Sequence, residues 1–227
     1  MHTKYYILIL TFFFSSIFGQ LRLELKLVNS VANLTIYNDS KENYILPVDL
    51  LHFRPYEADC NNFSEQEAEF PGFGLMVNII EEDNKKEDYA VGYSKIPENF
   101  DPLRDKVNIQ RSGFKKKILK WAGKHKIKDY DLALINYTIM NNLIFLKAKE
   151  KISFNIKLDL YNITAQELIF YNYILEKSEN YKLYVSLCEF KGIDKYLTFA
   201  QKEKLKKYKL FTDQLESNLI ELKHDQN

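Results

Sequence analysis

The sequence predicts a mainly β fold, an antiparallel sandwich with short helices confined to its connections. Segments with apolar side chains at every second position recur along the chain, aromatic residues are abundant at 16 Phe, 16 Tyr and one Trp, and helical spacing is strongest at about residues 112–124 and 199–209. Alternation of period two places one side of a strand in the core and the other in water. Half-buried pleated surfaces suit large planar rings, and many short strands at even spacing fit two facing sheets better than a helical bundle.

The first nineteen residues, MHTKYYILILTFFFSSIFG, have the three parts of a secretory leader: the positive Lys4, the apolar run Tyr5 to Phe14, and small Gly19 before Gln20. The apolar run is about half the roughly 20 residues that a bilayer core requires, and Arg22 and Glu24 follow it closely. The pattern predicts export to the periplasm, the cell surface or the medium. Loss of Lys4 with the leader leaves basic and acidic side chains equal at 31 each, a balance that gives no reason to expect a nucleic-acid partner. Residues 20–227 are long enough to bury a core as a single β-sandwich domain, without a metal or disulfide framework.

Leu21, Leu23, Leu25 and Leu27 alternate with Arg22, Glu24 and Lys26 as the first strand, which Asn29-Ser30 breaks. A second strand covers 33–37, and a third covers 44–46 and stops at Pro47, which suits a strand end. Residues 51–73 lack a period and read as a long loop. Leu75, Val77 and Ile79 resume the alternation up to the charged stretch 81–88, a hairpin tip leading into 89–93. Residues 97–142 form a helical insertion: Ser112 caps a helix with Phe114, Ile118, Trp121 and Ala122 on its apolar side, and 129–140 follows as a helix, with 132–137 also a credible strand. The segments 142–146 and 152–160 pair as a hairpin through the turn 147–150. Thr164 and Glu167 have the spacing of a capping box, so 165–177 is legible as either helix or strand. A strand at 181–187, a helix capped by Thr198 and Gln201, and a strand at 218–222 complete the chain.

Export permits a disulfide between the only two cysteines, Cys60 and Cys188, the alternative being two buried thiols. The aromatic-rich loop, with Phe53, Tyr56, Phe63, Phe70 and Phe73, is the expected partner-binding surface, because loops on a rigid scaffold carry function; the same rings are otherwise core caps. No nucleophile elbow, H-x-x-x-H or C-x-x-C occurs, and His52, His125 and His224 do not make a zinc set. Neither a catalytic residue, a cofactor site nor a metal site is predicted. The lysines at 115–117, 120, 124 and 126 read as the solvated face of a core-packed helix, so membrane contact is not expected. Five N-x-S/T triplets occur, at Asn33, Asn38, Asn62, Asn136 and Asn162, as a chain rich in Asn supplies by chance.

The segments LRLELKLVNS, TIYNDSKENYILPVD, NLIFLKAKEKISFNIKLDL and YLTFAQKEKLKKYKLFTDQLESNLIEL resemble uncharacterised secreted proteins of Bacteroidetes bacteria. That resemblance implies an immunoglobulin-like sandwich and brings no activity or site residue. The Cys, Trp, Cys signature of antibody domains is absent, since Trp121 falls in the helical insertion. The functional expectation is an exported non-enzymatic module that binds a protein or glycan or associates with the envelope. The alternative is a secreted inhibitor or protective factor presenting residues 51–73 to an enzyme.

Overall fold

The computed structural model of the chain describes residues 20–56, 73–81, 92–95, 100–166, 169–176, 180–188, 190 and 192–222, so the leader expected at 1–19 lies outside them. The fold is mainly β. Strands β1 (Leu21–Val28) and β2 (Val31–Asn38) pair antiparallel over their whole length. Asn29 and Ser30 both adopt positive φ, 49° and 60°, which is the two-residue turn whose twist matches that of the strands it joins. Leu21, Leu23, Leu25, Ala32, Leu34 and Ile36 face the core, as the alternation requires.

β2's other edge takes β8 (Lys151–Lys157), from Val31↔Lys157 to Tyr37↔Lys151. The expected hairpin of 142–146 with 152–160 is therefore not formed. β7 (Leu143–Leu146) instead pairs β3 (Tyr44–Pro47), and β12 (Lys209–Leu210) lies parallel on β3's other side. The turn between β7 and β8 diverts the chain from one sheet to the other. Glu150 accepts from the Lys147 N–H through its side chain, its carbonyl accepts from the Asn38 N–H at 2.9 Å, and Lys149 takes positive φ.

The central sheet contains β4 (Asp49–Arg54), β5 (Gly74–Glu81), β11 (Tyr181–Leu187), β13 (Leu215–Glu216) and β14 (Ile220–Leu222). β5 is buried on both faces along most of its length, as its nearly continuous apolar sequence requires. Its pairing with β4 is parallel, and with β3–β12 this corrects the expectation of a wholly antiparallel architecture. The parallel pair also gives a physical reason for the long connection at 55–73, since parallel neighbours need a crossover of a dozen or more residues. Residues 51–54, expected in the loop, belong to β4.

β6 (Gly92–Lys95), β10 (Ile169–Tyr173) and β9 (Ile163–Gln166) form the last sheet, so described residues of the ambiguous 165–177 stretch are extended. One apolar cluster draws on all four sheets and on the helices, joining Leu34, Leu46, Ile79, Ile118, Ile135, Tyr173 and Val185.

The insertion at 97–142 is helical in α1 (Phe100–His125) and α2 (Tyr130–Asn142), while 199–205 forms α3 (Phe199–Leu205). Ser112 does not start α1: the helix begins twelve residues earlier, with Pro102 tolerated in its first turn. Nor does Gly123 end it. Lys126 adopts φ 57°, its N–H donates to the Gly123 carbonyl, and Ile127 N–H donates to the Ala122 carbonyl at 2.9 Å, closing a Schellman motif without glycine. α2 is a helix rather than the alternative strand, and Asp129 caps it by accepting from Leu132 N–H at 2.7 Å. α3 has both bonds of the Thr198–Gln201 capping box and stops at Leu205, short of residue 209.

Candidate functional site

α1 is an unusual surface in a chain whose charges balance. Between Asp105 and Asp129 no acidic residue occurs, while Lys106, Arg111, Lys115, Lys116, Lys117, Lys120, Lys124, Lys126 and Lys128 do. Val107 and Ile118 are buried and Trp121, Ala122 and His125 half-buried; at 100° per residue all five fall on one side of the helix. The opposite side carries most of the lysines.

α1 is held through α2. The Trp121 and Phe114 rings meet Tyr137 edge-on, with centroids 5.4 and 5.8 Å away. Beneath them lies Asn136, fully buried, whose carboxamide is saturated. Its oxygen accepts from Trp121 Nε1 and Gln201 Nε2, both at 2.9 Å, and its nitrogen donates to the Tyr196 carbonyl and Gln201 Oε1, both at 2.7 Å. Gln201 Oε1 also accepts from Thr198 N–H. One amide pair thus ties α1, α2, the 3₁₀ turn Ile193–Tyr196 and α3 together. The 3₁₀ turn is entered through Gly192 at φ 73°, a conformation that favours glycine.

Sequence reasoning saw Asn136 only as one of the N-x-S/T triplets. The available signal was a polar residue inside the apolar run ALINYTI, where an unpaired amide is costly. Asn38 is likewise buried, donating to the carbonyls of Glu42, Leu146 and Lys147 and accepting from Ser40. Neither side chain is accessible to a glycan in the folded chain, whereas Asn162 is exposed and Asn62 lies outside the described residues.

The surroundings of two histidines shift their pKa values in opposite directions. His125 stacks on Trp121 with centroids 4.0 Å apart, and its buried Nε2 has no hydrogen-bond partner. Desolvation first, then Lys124 and Lys204, hold its pKa below 6.5. His52 Nδ1 lies 2.8 Å from Asp49 Oδ2, and that hydrogen bond raises its pKa.

The aromatic surface expected at 51–73 separates into different environments. Phe53 is buried in the core, and Phe73 is buried edge-on to Phe190 at 4.8 Å, so neither ring is presented to a partner. Tyr56 is half-buried. Its N–H donates to Tyr173 Oη at 2.7 Å, and that buried phenol, its pKa pushed far above 10 by desolvation, donates in turn to the Val77 carbonyl. Phe63 and Phe70 lie outside the described residues. Cys188 is buried and disulfide-bonded; the one other cysteine, Cys60, lies outside the described residues.

Among the described residues no group of three His, Cys, Asp or Glu side chains is placed to hold a metal, and no helix is long and apolar enough to cross a membrane. Comparison with protein-family models finds no match, and the chain matches neither a curated protein nor a solved structure.

Proposed function

We propose that this chain is exported and acts as a non-enzymatic binding module associated with the cell envelope. The observation that carries the reading is the disulfide at Cys188, at the end of a core strand. Structural disulfides persist in oxidising compartments and are rare in the cytosol. The tripartite leader gives the same address independently. The expected partner of Cys188 is Cys60. Support for binding comes from α1, a long basic helix anchored by a saturated amide network and standing at the protein surface.

An immunoglobulin-like arrangement of sheets belongs to the same proposal. Its support is the three-stranded antiparallel layer β1–β2–β8 sharing one core with the β4–β5–β11 sheet; the parallel pairs set it apart from wholly antiparallel members.

Expression with the native leader, followed by fractionation and mass spectrometry, tests the reading. The expected product begins at Gln20, leaves the cytoplasm, and has two thiols that resist alkylation until reduced. Retention of Met1, or free thiols in the recovered protein, overturns it.

A further inference from the structure

We propose that the outer face of α1 docks on the anionic headgroups of a lipid membrane. At 100° per residue, Leu119, Lys116, Ile109, Lys120, Lys106, Lys124 and Lys117 occupy an arc of about 160°, opposite the side that meets the core. Lys106 and Lys124 are about 27 Å apart along the axis at 1.5 Å per residue. The basic side chains of this face concentrate between Lys116 and Lys124, where no acidic residue occurs, and Asp105, on the same arc, borders the face beside Lys106.

Two simpler accounts of the lysines fall short. Complementing the helix dipole explains cations only in the last turn, yet Lys115, Lys116 and Lys117 lie two turns and more before the end of α1. A merely solvated face would gain by mixing charges. Lys116, Lys120 and Lys124 instead repeat at i, i+4, the spacing at which like charges destabilise a helix. An anionic surface converts that repulsion into attraction.

The two aliphatic residues decide between a membrane and another polyanion. Ile109 is 75% exposed and Leu119 54% exposed, and both stand among the lysines rather than on the core stripe. Apolar side chains flanked by lysines fit the boundary between headgroups and acyl chains, where burial adds to the electrostatic attraction. A nucleic-acid backbone offers them nothing comparable. In sequence this helix has the composition of a membrane-surface helix as well, but the expectation is a solvated face, because helical spacing makes legible only the apolar stripe that packs on α2. The inference deepens the envelope-associated reading and rests on it for its setting, but it is tested on purified protein, so it fails or succeeds separately from export.

The test is flotation of residues 20–227 with vesicles of phosphatidylcholine alone, or containing 30% phosphatidylglycerol, at low and high salt. The expected result is binding to the anionic vesicles only, lost at high salt because exposed charges are screened. Each basic side chain near such a surface strengthens association about fivefold, so K116Q/K117Q/K120Q weakens it roughly 100-fold. I109S/L119S weakens it by about tenfold with the salt dependence retained. All five positions are exposed, and an unchanged circular dichroism spectrum checks that each variant folds. No binding to anionic vesicles, equal binding by the triple variant, or binding to duplex DNA in preference to vesicles overturns the proposal.

Discussion

Replacing Asn136 with leucine tests whether the saturated amide pair organises the helical region. Leucine has the same number and branching of side-chain heavy atoms as asparagine, with bulkier methyl groups, so no cavity forms, and the change removes four hydrogen bonds at a fully buried position. Gln201 Nε2 and the Tyr196 carbonyl lose partners; Gln201 Oε1 keeps the Thr198 N–H, and half-buried Trp121 can turn its indole N–H to water. A buried polar group left without a partner costs about 1–3 kcal/mol. The loss at the buried Gln201 amide and at the part-buried Tyr196 carbonyl, less a small gain from the apolar side chain, gives a net of about 3 kcal/mol. With a urea m-value of about 2 kcal/mol/M, the midpoint falls by about 1.5 M at constant slope. Because Asn136 and Gln201 bond each other twice, adding Gln201→Leu costs less than its separate loss, as expected for residues in one network. A midpoint within about 0.3 M of wild type, about 0.6 kcal/mol at that slope, or strict additivity of the two losses, refutes the reasoning.

Breaking the proposed Cys60–Cys188 bridge, by reduction or by Cys188→Ser, releases a loop of about 130 residues, worth up to about 5 kcal/mol in the chain-entropy account. Equilibrium unfolding with and without dithiothreitol measures it, and identical midpoints refute the bridge. Asn218 uses its amide to bond both the N–H and the carbonyl of Leu25, in the way a neighbouring strand would, at the edge of β1 away from β2. Asn218→Ala costs about 1–2 kcal/mol and speeds exchange of the Leu25 amide; unchanged exchange shows that the edge is protected otherwise. His125, with its folded pKa below 6.5, contributes stability that is present above 6.5 and lost as the pH falls toward the folded value. His52, with its pKa raised, has the opposite sign: its contribution is present below 6.5 and lost as the pH rises through the folded value. Between pH 7.5 and 5.5 the urea midpoint of wild type therefore drops more than that of His125→Phe, and parallel curves for the two refute the assignment.

Strands whose evidence is local were legible. The Leu21 to Leu27 alternation, the Asn29-Ser30 break and the Pro47 stop all correspond to observed boundaries, because period-two burial and turn chemistry act within a few residues. The Thr198–Gln201 cap was legible for the same reason, and both of its bonds form. α1 was misread at its start. Ser112 has a capping side chain, but nothing in the local sequence forbids the helix from running through it back to Phe100. Ile, Phe and Tyr at 169–173 fit a strand as well as a helix, and pairing with β6 and β9 selects the strand.

The site was less legible than the fold. Phe53 and Phe73 have the composition of a display loop, yet the parallel pairing of β4 with β5 carries both into the core. Asn136 and Gln201 are 65 residues apart, and their pairing has no sequence period to announce it.

The sequence by itself determined most strand positions, the mainly β class and the acid-free run of lysines, because composition and short-range periodicity are properties of neighbouring residues. Only the tertiary structure decided that β8 joins β2 rather than β7, that β4 and β5 run parallel, and that a buried amide pair holds four elements together. It also decided which aliphatic residues of α1 face water. These depend on which distant segments compete for the same edge or cavity, and that competition is resolved by packing the whole chain at once.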